Sequence, residues 1–116
     1  MKSDLLYITD IAERIRRVNA SAAEGRDVFV SSVEKQDSIL HNLQLLGQSV
    51  KNISDELKTR YPEVPWREIA AFRNVVVHDY LGVDLEIVWR IVTERIPELQ
   101  GQVERIVYEE VVRSSS

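Results

Sequence analysis

Residues 39–57, Ile39-Leu-His-Asn-Leu43-Gln-Leu-Leu46-Gly47-Gln-Ser-Val50-Lys-Asn-Ile53-Ser-Asp-Glu-Leu57, carry apolar side chains at four-three-four-three-four spacing. That period places Ile39, Leu43, Leu46, Val50, Ile53 and Leu57 on one stripe and predicts a long amphipathic helix starting near Ser32. Propensity alone does not hold such a helix in water, so the stripe must be buried against other helices. Gly47 stands inside it at a cost of about 1 kcal/mol relative to alanine. It either admits another helix at close range or is simply tolerated.

Working outward, Asp4 to Ala20 has Leu5, Ile8, Ala12, Ile15 and Asn19 on one face, with Ile11 and Val18 beside them, while Asp10, Glu13, Arg16 and Arg17 face elsewhere. This is a second amphipathic helix. Ser21 to Val28 reads as a break hinged at Gly25, and Val28 to Val33 as a helical turn, since no strand partner is offered. Tyr61-Pro62-Glu63-Val64-Pro65 ends the long helix, and Pro65 suits the first turn of the next. Trp66, Ile69, Ala70, Phe72, Arg73 and Val76 follow at helical spacing, and Gly82 stops them. Asp84 is a plausible N-cap for a stripe of Leu85, Val88, Trp89 and Val92. Pro97 should interrupt or restart the final helix, whose buried positions would be Leu99, Val103, Ile106 and Val111. The expectation is an all-α, up-and-down bundle of four to five helices in a single domain over residues 1–116, with a frayed tail at 112–116.

Composition narrows the chemistry. The 116 residues contain no cysteine, which excludes disulfide scaffolds, thiolate metal sites and thiol nucleophiles. The net charge of -4 argues against a broad basic face for duplex nucleic acid, although a local positive cleft is compatible with it. With no long apolar run and no signal-peptide pattern, the expectation is a cytoplasmic protein that does not enter membranes. No glycine-rich phosphate loop occurs, and the histidines lack metal-ligand spacing, so no metal or other cofactor is expected.

The two histidines are His41 and His78. His41, in the long helix, reads as a surface or packing residue. His78 closes Phe72-Arg73-Asn74-Val75-Val76-Val77-His78-Asp79-Tyr80, where Asn74 and His78 share a helical face. Arg73 and His78 would stand about 140° apart around the axis and about 7.5 Å along it, close enough to line one groove. Arginine is a permanent, bidentate partner for phosphate, and histidine exchanges protons near neutrality. Together they suit cleavage of an RNA phosphodiester by its own 2'-hydroxyl. A two-fold dimer would supply two histidines for the two proton transfers. The same residues also fit a structural account, with Arg73 paired to a carboxylate and His78 at a helix C-terminus.

The segment resembles the signature of the HEPN superfamily, and within it the HepT-like toxins, whose Arg-x4-His-x-Tyr pattern reads here as Arg73, His78 and Tyr80. Asn74 directly after the arginine, and the flanking Trp66, Gly82 and Asp84, extend the likeness. The resemblance implies a homodimeric, metal-independent RNase toxin with Arg73 and His78 catalytic and Asn74 and Asp79 supporting them. It further implies a cognate MNT-type nucleotidyltransferase antitoxin that transfers AMP from ATP to Tyr80. The alternative is a non-catalytic helical partner that binds and regulates a nucleotidyltransferase.

Overall fold

The computed structural model describes residues 2–77 and 84–115. Among these residues the regular structure is helical throughout. The first helix, α1 (Lys2–Ala22), ends before Gly25, whose φ of 95° is a left-handed value that favours glycine. A short α2 (Arg26–Ser31) follows, so the expected helical turn is present. Ser32 caps α3 (Val33–Asn52) by accepting from the Lys35 amide.

The long helix is shorter than its apolar stripe. Ile53 turns extended, and the Ser54 side chain accepts from the Leu57 amide to start a separate α4 (Asp55–Arg60). Ile53 and Leu57 are nevertheless both buried, because α4 resumes in phase with the stripe. Pro65 lies immediately before α5 (Trp66–Ala70), as its N-cap. The helical run expected from Trp66 onward is broken once, at Ala71, before α6 (Phe72–Val77). The expected stop at Gly82 lies outside the described residues.

Asp84 caps α7 (Leu85–Arg90), accepting from the amides of Glu86 and Ile87. The chain then passes through a π-helical segment, Ile91–Arg95, into α8 (Ile96–Ser115) without leaving helical backbone. Pro97 therefore restarts the hydrogen-bond pattern rather than interrupting the rod. It offers no amide, and its ring would press on the Thr93 carbonyl in α-geometry. The wider turn relieves that contact, with the Ile96 amide reaching back five residues to the Ile91 carbonyl. The tail expected to fray is helical as far as Ser115, with every residue of 112–115 exposed.

α1 lies antiparallel between α3 and α8. Toward α3, Asp4 accepts from Ser54, Ser49 donates to Asp10 at 2.6 Å, Arg14 donates to Asn42 at 2.9 Å, and Ser21 bonds Ser38 at 2.7 Å. Asp10 thus belongs to the seam and not to the solvent face. Toward α8, Asn19 donates to Gln100 at 3.0 Å. Between these polar edges the core contains Ile8, Ile11, Ile15 and Val18 of α1, the α3 stripe, and Val88, Val92, Ile96, Leu99, Val103 and Ile106. Phe29 stacks on Trp89 with ring centroids 5.2 Å apart, and Arg26 pairs with Glu86, which ties α2 to α7. Val111, expected inside, is 44% exposed; Glu110 takes the inward position instead.

Candidate functional site

The segment that carries Arg73 is held at its start by an aromatic anchor. The Trp66 indole donates to the Tyr61 carbonyl at 3.0 Å, and Tyr61, Val64 and Ile69 are buried around it. At Ala71 the helix tightens. Its amide is shared between the Arg67 and Glu68 carbonyls, and the Asn74 amide returns to Ala71 over three residues at 2.9 Å. This step turns Phe72 into the core, leaves Arg73 half-buried and puts Asn74 in solvent.

Arg73 crosses α3 at Gly47. A Cβ at residue 47 would lie 3.0 Å from the Arg73 Cβ, 3.1 Å from the Ala70 carbonyl oxygen and 3.2 Å from the Arg73 amide nitrogen. Of the two readings of Gly47, close approach is the one the fold uses. The sequence raised that possibility without naming its partner, because the contact joins positions far apart in the chain.

The electrostatics of Arg73 are unusual for this protein. Among the described residues its guanidinium has neither a hydrogen bond nor an ion pair, a condition it shares among the arginines with exposed Arg67. The remaining described arginines are paired with carboxylates, for example Arg95 with Glu68 at 2.6 Å and Arg105 with Glu63 at 2.6 Å. The structural account that pairs Arg73 with a carboxylate thus finds no such partner among the described residues. A permanent cation that is partly shielded from water and lacks a counter-ion is a ready site for an anion. Arg67 was not singled out from the sequence, where nothing separates an unpaired arginine from a paired one.

His78, Asp79 and Tyr80 lie outside the described residues, and with them the geometry expected between Arg73, Asn74 and His78. His41 is exposed on α3, as expected for a residue without a chemical role. Among the described residues no group of three or more His, Asp or Glu side chains is arranged to hold a metal ion. Among the same residues no helix is long and apolar enough to cross a membrane.

Beside the Arg73 segment, Phe72 and Ala71 form one wall of a cleft of about 510 Å³ whose other wall is Ile87, Arg90, Ile91 and Glu94. Ile87 is 45% exposed there, so the cleft presents apolar surface to solvent among the charged side chains of Glu68, Arg90, Glu94 and Arg95.

Comparison with known proteins identifies the family. The family model "Ribonuclease HepT-like" matches residues 8–106. A Thermococcus cleftensis protein named "Probable ribonuclease HepT" is 36% identical over 101 residues, covering 86% of this chain and 92% of that protein. A Caldanaerobacter subterraneus subsp. tengcongensis protein named "Putative RNase" is 32% identical over 114 residues, covering 95% and 99% of the two chains. No solved structure gives a significant match.

Proposed function

The chain belongs to the HepT-like ribonuclease family, and from that premise we propose that it is a metal-independent endoribonuclease acting through Arg73 and His78. The observation that carries the assignment of Arg73 is that this half-buried residue has a guanidinium with no counter-ion among the described residues. Such a group binds a non-bridging phosphate oxygen and stabilises the extra negative charge of the transition state. The RNA 2'-oxygen attacks phosphorus, the bond to the 5'-oxygen breaks, and a proton passes from the 2'-hydroxyl to the leaving oxygen. His78 serves as general base or acid in that transfer, with Asn74 and Asp79 supporting the pair.

The working unit is a homodimer that brings two Arg73–His78 pairs to one cleft. The cleft between Phe72 and Ile87 supports this, since it is lined by the residues that precede the arginine in the chain and its exposed apolar surface would be removed from water by a second copy. The protein acts as the toxin of a toxin–antitoxin module. Its partner is a nucleotidyltransferase that silences it by moving AMP from ATP to Tyr80, placing phosphate charge and bulk beside the anion site.

The test is RNA cleavage by unmodified protein, verified by intact mass, in EDTA. The parent is expected to cleave, and Arg73→Ala and His78→Ala to lose at least about 100-fold in rate while keeping the helical fold. Cleavage that persists in both variants would remove the site assignment. A folded parent that cleaves no RNA while binding a nucleotidyltransferase would favour the regulatory-partner reading.

A further inference from the structure

A guanidinium that no described residue holds at its tip takes its position from where its backbone and first side-chain carbon are seated. For Arg73 that seat is Gly47. The atoms that crowd a Cβ at residue 47 are the Arg73 Cβ, the Arg73 amide nitrogen and the Ala70 carbonyl oxygen. None of them can swing aside by a rotamer change, because all belong to the backbone or its first attached carbon. The contrast within the protein is Gly101 in α8, where an added Cβ meets nothing within 4 Å.

We infer that Gly47 is a positioning residue for Arg73: the absence of a side chain at residue 47 lets the segment joining α5 to α6 lie directly on α3 and fixes the point from which the guanidinium reaches the scissile phosphate. The inference rests on the proposed role of Arg73 in cleavage. A methyl group at residue 47 must push the Arg73 backbone away by a few tenths of an ångström. Displacements of that order matter for a group that must meet charge developing on a phosphate oxygen.

The experiment compares the full-length parent, Gly47→Ala, Gly101→Ala, Arg73→Ala, Arg73→Lys and Gly47→Ala/Arg73→Lys in steady-state RNA cleavage. Gly47→Ala is expected to lower kcat by about tenfold with KM changed by less than about twofold, the signature of an interaction lost in the transition state. Gly101→Ala is expected to match the parent. Because Gly47 acts through the arginine, adding Gly47→Ala to Arg73→Lys should cost little more than Arg73→Lys alone. A kcat for Gly47→Ala equal to the parent's, or losses that multiply in the double variant, would overturn the inference. If Arg73→Ala is inactive while Gly47→Ala is parental, only the positioning role falls; if Arg73→Ala cleaves like the parent, the cleavage assignment falls and takes this one with it. Should Gly47→Ala not fold, Gly47→Ala/Gly101→Ala, which gains helix propensity at the open site, is judged by the same kcat and KM criteria.

Discussion

Glu110 and Arg73 are both charged side chains drawn away from water, and the fold treats them in opposite ways. Glu110 is 6% exposed and accepts from the Tyr61 hydroxyl at 2.8 Å, Arg60 at 2.8 Å and Arg113 at 3.3 Å. Burial works against its charge, but the hydrogen bonds from Tyr61, Arg60 and Arg113 and the Arg60 charge outweigh it and hold the carboxyl below the usual range. Burial and the neighbouring Glu110 and Glu109 carboxylates push the Tyr61 hydroxyl up to about 12. A carboxyl with a lowered folded pKa stabilises the fold above its unfolded value and loses that contribution as pH falls through the folded value. Glu110→Gln is therefore expected to be about 1–3 kcal/mol less stable at neutral pH. In denaturant titrations the gap from the parent should close below about pH 4.3. The stripe Leu99, Val103, Ile106 continues by its own period to residue 110, yet sequence reading places Val111 inside because valine is apolar and glutamate is not. The partners that reverse this preference, Arg60 and Tyr61, come from α4 and its end, and no local pattern announces them.

At the level of elements, one side-chain cap was legible in the sequence. Asp84 was expected to cap α7 and does so with two amides. Asp84→Ala should cost about 1 kcal/mol in urea unfolding, a direct check on whether the cap holds the start of α7. The break between α3 and α4 was missed for an instructive reason. Ile53 and Leu57 keep the stripe's phase across it, so periodicity is blind to it, whereas Ser54-Asp55-Glu56 carries the N-cap and acidic first turn that mark a helix start. The candidate site divides in the same way. Arg73 and its neighbours are a local pattern and could be read, but the glycine on which the arginine rests is a tertiary contact between α3 and α6.

For the molecule as a whole, α1 is held by polar pairs along its α3 seam and by Asn19–Gln100 toward α8, with the apolar core between them. These pairs fix the register of the bundle, because sliding one helix along another would separate several of them together. The antiparallel neighbours agree with the up-and-down topology expected from the amphipathic periods. The cleft between Phe72 and Ile87 gives the proposed dimer a point of attack. Ile87→Glu puts a charge on the exposed apolar wall and is expected to convert a dimer to monomer in light scattering at micromolar concentration. Cleavage should fall with it, since each monomer would retain one histidine of the proposed site. An unchanged mass would place the interface elsewhere.

The π-helical segment has a consequence for how the chain tolerates changes in length. Five residues there advance the helix by nearly the rotation that four would give in α-geometry. One residue is thus surplus to the rod, and Pro97 is what keeps it there. If Pro97 were alanine, removing exposed Thr93 would let the segment close into an ordinary turn while Leu99, Val103 and Ile106 stayed pointed at the core. Removing Gln102 instead would rotate everything beyond it by about 100°, carrying Ile106 out of the core and Glu110 away from Tyr61. The π-helical segment is therefore a place where a deletion can be absorbed while the buried face of α8, which begins at Ile96, stays on the core.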